Sequence, residues 1–140
     1  MTVAVVATLV LLLVGAVVVV YARDPGPTPE DIAVGYELAW DRLDFDALWS
    51  LSGPSLRDGL DKRAFMAAKR AAYRERPELQ HLAGEVHVEG LDVIGDRAVV
   101  RTRLTLRDGS VVRNEVGLDR HTFGWTVADY HLVGPAASDA

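Results

Sequence analysis

Residues 85–116 read EVHVEGLDVIGDRAVVRTRLTLRDGSVVRNEV, and their apolar side chains recur with a period of two. Alternation sustained over that length and broken by Gly95-Asp96 and Asp108-Gly109 means strands and turns, not helix. Asp108-Gly109 suits a three-residue loop with glycine in the left-handed position. That loop sets Leu104 opposite Val112 and Val100 opposite Val116 on one face. The other face then carries Arg101 opposite Glu115, which attracts, and Arg103 opposite Arg113, which repels. Gly95-Asp96 suits a two-residue turn that aligns Val93 with Ala98 and Leu91 with Val100. Val86 and Val88 then have the wrong parity, and a bulge at Gly90 restores it. The expectation is a strongly curved antiparallel sheet with an apolar concave face. Its four strands are Glu85–Ile94, Arg97–Arg107, Ser110–Arg120 and Trp125–Val133.

Upstream the period is helical. Thr28-Pro29-Glu30-Asp31 combines a capping hydroxyl, a first-turn proline and two acids at the positive end of a helix dipole. Ile32, Tyr36, Ala39, Trp40 and Leu43 follow as one apolar face. Asp44 restarts a short helix with Phe45, Leu48 and Trp49 buried, and Gly53-Pro54 ends it. Asp61 caps a third helix closed by Arg76-Pro77, with Phe65, Ala68 and Ala72 inward.

The amino-terminal 22 residues carry no charged side chain, and nine of the first twenty are valine. Twenty helical residues span roughly 30 Å, the thickness of a bilayer's hydrocarbon core. The run is longer than the apolar part of a secretory signal peptide, and no Lys or Arg precedes it, so a retained single-pass anchor is the expectation. The chain then divides into an anchor at residues 1–22, a Pro/Gly linker at 23–27, a domain at 28–134 and a disordered tail at 135–140. All 35 charged residues lie beyond Ala22, for a net charge of −5. Asp24 to Asp46 holds seven acids against Arg42 alone, and Lys62 to Arg76 holds six basic residues against Glu75. There is no cysteine, hence no disulfide framework and no lipid-attachment cysteine.

Helix, short helix, helix and a meander of curved strands resembles the nuclear transport factor 2-like superfamily, a cone-shaped α+β fold. The likeness runs over residues 28–134. Two stretches carry it: Ala39-Trp40-Asp41-Arg42-Leu43-Asp44-Phe45-Asp46-Ala47-Leu48-Trp49-Ser50-Leu51, similar to the turn between the first two helices, and Gly124-Trp125-Thr126-Val127-Ala128-Asp129-Tyr130-His131, similar to the last strand. The superfamily includes isomerases, dehydratases, polyketide cyclases, transport adaptors and membrane-anchored domains, so the fold does not choose an activity. Members similar to ketosteroid isomerases place a carboxylate base inside the cone.

Few inward positions offer such chemistry. Asn114, between Val112 and Val116 and opposite Thr102, is the clearest inward polar side chain, read first as a satisfied core amide and second as a ligand group. Asp129 and His131 fall on one face of the last strand with Trp125, Val127 and Val133. A carboxylate two residues from an imidazole can orient it as a base, and the plainer alternative is a solvated pair on the outer face. Trp40, Trp49, Tyr36, Tyr73 and Tyr130 fill the space between helices and sheet or line a pocket. Tyr36, Trp40, Asn114, Asp129 and His131 are therefore the pocket candidates. Lys62, Arg63, Lys69, Arg70, Arg74 and Arg76 form a basic stripe suited to anionic lipid or an acidic partner, and the plainer alternative is a solvated helix face. No histidine pair has metal-ligand spacing, and no nucleophile motif or phosphate-binding glycine loop occurs, so neither metal nor cofactor is expected.

The reading is a single-pass, membrane-anchored accessory or interaction domain without catalytic activity. The alternative is a small-molecule-binding or isomerase/dehydratase-like enzyme using the cone. The expected partners are the bilayer, through residues 1–22, and a protein or second copy, through the sheet; nucleic acid is not expected of an acidic domain. Similarity to the anchored scaffold subunits of bacterial secretion machines places the domain on the extracytoplasmic side of a cell membrane. An open cavity with an ionisable group at its base favours the pocket; a closed core removes it.

Overall fold

Thr28 and Asp31 form a reciprocal cap: the Asp31 amide donates to Thr28 Oγ1 at 3.2 Å, and the Thr28 amide donates to Asp31 Oδ2 at 3.0 Å. With Pro29 in the first turn, they start α1, Pro29–Arg42. The computed structural model describes residues 26–134. The expected membrane anchor and disordered tail lie outside the described residues. Among those described, no helix is long and apolar enough to cross a membrane.

Leu43 closes α1 in the left-handed conformation, at φ 50°. Asp44 then caps α2, Phe45–Leu51, by accepting from the Ala47 amide. A 3₁₀ turn at Pro54–Leu56 and the Asp61 cap lead into α3, Lys62–Tyr73. A second 3₁₀ turn, Pro77–Leu79, precedes the strands. These are β1 (Ala83–Ile94), β2 (Arg97–Leu106), β3 (Val111–His121) and β4 (Gly124–Val133), in the order β1-β2-β3-β4 and antiparallel throughout.

The register follows the turns. Leu104 pairs with Val112, Thr102 with Asn114 and Val100 with Val116. Gly95, at φ 59°, opens the two-residue turn that keeps Ile94 opposite Arg97. Two irregularities interrupt β1, between Ala83 and Glu85 and between Val88 and Gly90, and between the two Val86 and Val88 share a face with Leu104 and Thr102. The bulged residue, Glu89, also resolves the Arg103–Arg113 conflict. Its carboxylate lies 3.0 Å from Arg113 Nε and 3.9 Å from Arg103 Nε, between the two cations.

A further bulge, in β4, departs from simple alternation. Val127 pairs with Leu118 and Asp129 with Gly117, so Ala128 is an extra residue in β4. Its neighbourhood bonds outward: the Gly53 amide donates to the Val127 carbonyl at 2.7 Å, and Ser55 Oγ donates to the Ala128 carbonyl at 2.7 Å. The bulge reverses the parity of everything after it. Val127 and Tyr130 therefore both face inward, whereas Asp129 and His131 face outward. The expected single face running from Trp125 through Asp129 and His131 to Val133 is corrected accordingly.

The helices lie across the concave face. Ala33, Tyr36, Ala39, Phe45, Leu48 and Phe65 pack on Ala98, Val100, Val116, Leu118 and Val127, all buried. Tyr36 joins helices to sheet, 5.5 Å from Tyr130, and two aromatic pairs join α3 to the other helices: Trp40 lies 5.7 Å from Tyr73 and Trp49 5.4 Å from Phe65, ring centre to ring centre.

Candidate functional site

On α1, Ala33, Tyr36, Glu37 and Trp40 stand at spacings of three and four, so Glu37 lies in the stripe that faces the sheet. It is 2% exposed. Burying a carboxyl without partners is costly, and this one has three. Thr102 Oγ1 donates to Glu37 Oε1 at 2.7 Å. Asn114 Nδ2 donates to the same oxygen at 3.0 Å. Tyr130 Oη donates to Oε2 at 2.8 Å, and Asn114 Nδ2 reaches Tyr130 Oη at 2.6 Å. One donor comes from each of β2, β3 and β4, which the register lays side by side. Both amide hydrogens of Asn114 are used on this side, which leaves its Oδ1 buried without a partner. Burial, then the Glu37 carboxyl, raise the Tyr130 phenol far above its ordinary value, so it stays a donor. Burial likewise raises Tyr36.

Three members of this cluster border a cavity of about 310 Å³, and Thr102 lies behind them. Glu37, Asn114 and Tyr130 line it together with Trp40, Leu43, Tyr73, Leu104, Leu106 and Val112. Leu82 and Leu132, 44% and 69% exposed, stand at its rim. Asp41 fixes the rim to α1 by accepting from the Ala83 amide at 2.8 Å, while its carbonyl accepts from the His81 amide at 2.7 Å. The site is an open apolar pocket with polar groups gathered at one end, the usual composition of a small-molecule site.

Of the five pocket candidates read from the sequence, Trp40 and Asn114 line this cavity, as do Tyr73 and Tyr130 from the wider aromatic set. Tyr36, 5% exposed, stacks in the core behind it. Asp129 and His131 are on the opposite face of the sheet, where Asp129 pairs with Arg97 and lies 3.4 Å from His131 Nε2. The basic residues of α3 are partly engaged. Lys62 pairs with Asp46, and Lys69 lies 4.0 Å from Asp58 and over the Trp40 and Phe65 rings. Beyond the helix, Arg76 pairs with Glu78. Among the described residues, no cluster of His, Cys, Asp and Glu could hold a metal ion.

Sequence reasoning missed Glu37. Its signal was positional: a carboxylate four residues after Ala33 and three before Trp40, inside the stripe that the apolar residues define.

No protein-family model matches the sequence, and no curated protein matches it. Solved structures do resemble the fold. A calcium/calmodulin-dependent protein kinase type II association domain, described as putative, from Thiobacillus denitrificans is 16% identical. The match covers 79% of this chain and 97% of that one, with a TM-score of 0.56. A Campylobacter jejuni protein described as a putative nuclear transport factor 2-like transpeptidase is 15% identical over 72% and 97% of the two chains, at TM-score 0.52. A nuclear transport factor 2-like protein of unknown function from Shewanella oneidensis is 20% identical over 75% and 98%, at TM-score 0.50. At these identities the likeness concerns architecture alone, and three helices on a curved four-stranded sheet give this chain the nuclear transport factor 2-like fold.

Proposed function

We propose that this chain is a membrane-tethered, non-catalytic domain whose cone binds a small, largely apolar molecule carrying one polar group. The observation that supports it is the buried Glu37 at the floor of an open apolar cavity. A core that served packing alone would gain by replacing the Glu37–Thr102–Asn114–Tyr130 network with well-packed apolar side chains. Placed at the end of an open pocket, the network has spent its donors internally and instead offers fixed acceptors for a ligand hydroxyl or N–H, and Trp40, Leu104 and Val112 offer the apolar wall. The tether reading rests on the uncharged run at residues 1–22.

Recognition fits the cluster better than proton transfer. Three fixed donors already bond the Glu37 carboxyl, two on Oε1 and one on Oε2, and each weakens it as a base toward a substrate proton. The test compares naphthalene with 2-naphthol as probes of the full chain, read by tryptophan fluorescence. 2-Naphthol binds more tightly than naphthalene, and Tyr130→Phe narrows the difference. Failure of both probes to bind up to their solubility limits sinks the pocket. A parallel measurement follows deuterium exchange beside the carbonyl of 2-tetralone by NMR. Exchange that the chain accelerates and Glu37→Gln abolishes would replace the binding reading with an enzymatic one.

A further inference from the structure

We infer that the end of the sheet carrying Ile94 and Phe123 rests on the bilayer surface, with these two side chains entering the interfacial layer. The inference rests on the tether reading of residues 1–22. Phe123 is fully exposed and Ile94 is 82% exposed, more than any other large apolar side chain described. A single exposed apolar residue is ordinary on a protein surface. These two are both at hairpin tips, and the tips are at the same end. Ile94 precedes the β1–β2 turn and Phe123 sits in the β3–β4 turn, while the Arg120 amide ties the two hairpins by donating to the Asp96 carbonyl at 2.8 Å.

The chain arrives at this same end. Gly26, Pro27, Thr28 and Pro29 share a shallow cleft with Arg120, His121, Thr122 and Trp125. Three residues separate Gly26 from Ala22, the last of the uncharged run, so the four steps between them span at most ~14 Å of extended chain. A membrane entered by that run therefore lies within reach of both hairpin tips. The flanking chemistry is interfacial as well: the Arg120 guanidinium lies 4.5 Å from the centre of the Trp125 ring, and Trp and Arg favour the headgroup level. A second copy of the chain fits this end less well. A specific protein interface buries about 800 Å² on each partner as one contiguous patch. Two tips parted by the polar residues Asp96, Arg120 and His121 do not present one, but a bilayer accepts separate insertion points.

The chain has no cysteine, so Ile94→Cys, Phe123→Cys and Arg107→Cys each accept a single fluorophore. Arg107 is exposed in the β2–β3 turn at the far end of the sheet. The labelled full-length chains are reconstituted into phosphatidylcholine–phosphatidylglycerol vesicles and floated on a density gradient. Their fluorescence is then challenged with aqueous iodide and with nitroxide-bearing lipid. Labels at 94 and 123 should be quenched about twofold or more by the lipid nitroxide and shielded from iodide, as expected of groups roughly 5–10 Å into the interface. The label at 107 should behave oppositely. Floating protein whose three labels are equally open to iodide overturns the inference and leaves the tether intact. Labels at 94 and 123 shielded from both quenchers overturn it in favour of a protein contact. Protein that does not float overturns the tether and the inference together.

Discussion

Tyr130 is where the site and the core meet, and its hydroxyl tests the cluster. Its phenol is raised in the folded chain by burial and by Glu37, against an ordinary value of about 10. A group whose folded-state value is raised contributes stability that is complete below the unfolded value and is lost as pH climbs above it. Stability should therefore be level up to about pH 10 on account of this group and fall beyond it, with the Tyr130→Phe chain falling less steeply. Denaturant midpoints on the two chains between neutral pH and pH 11 check this. Equal alkaline slopes would mean that the phenol is not held as a donor to Glu37. The same cluster marks the limit of what single residues disclosed. Asn114 and Trp40 were legible as inward positions because local alternation and helical spacing place them. Glu37 sits in an acid-rich helix, where a carboxylate ordinarily faces water. Its burial is made tolerable only by donors 65, 77 and 93 residues away, which no local pattern contains.

The reciprocal Thr28–Asp31 bonds fix where α1 begins, and hence which of its faces carries Glu37 to the sheet. The Thr28 backbone amide, followed by its side chain, holds the Asp31 carboxyl below its ordinary range. Thr28→Ala removes the hydroxyl acceptor and should lower the Tm by about 4–8 °C, whereas Thr28→Ser should restore most of it. An unchanged melting curve for the alanine chain would show that Pro29 alone sets the helix start. Secondary structure was legible at this scale wherever the deciding chemistry is local. Gly95-Asp96 and Asp108-Gly109 set the pairing of three strands, and the Val86–Val88 parity located the bulge to within one residue, at Glu89 where Gly90 was expected. The Ala128 bulge was not legible, because its cause is distant in sequence: Gly53 and Ser55, at the end of α2, take the carbonyls of Val127 and Ala128. That single extra residue decides that Tyr130 enters the cavity and that Asp129 and His131 do not.

On the tether proposal, the two ends of the sheet serve different surroundings. Leu82, Leu106, Val112 and Leu132, which line the cavity, belong to the end where β1 begins and β2 turns into β3. Ile94, Phe123 and the first described residues belong to the other. If the latter end rests on the bilayer, the cavity opens toward water, and its ligand arrives from solution without passing through lipid. Affinity for 2-naphthol, after correction for its partition into lipid, should then agree within about twofold between chains held in vesicles and chains held in detergent, a difference of less than roughly 0.5 kcal/mol. Equilibrium dialysis against both preparations measures it. A tenfold weakening in vesicles would mean that the membrane covers the rim at Leu82 and Leu132. The domain would then lie over on its open end, and the apolar rim itself would be the lipid-facing surface.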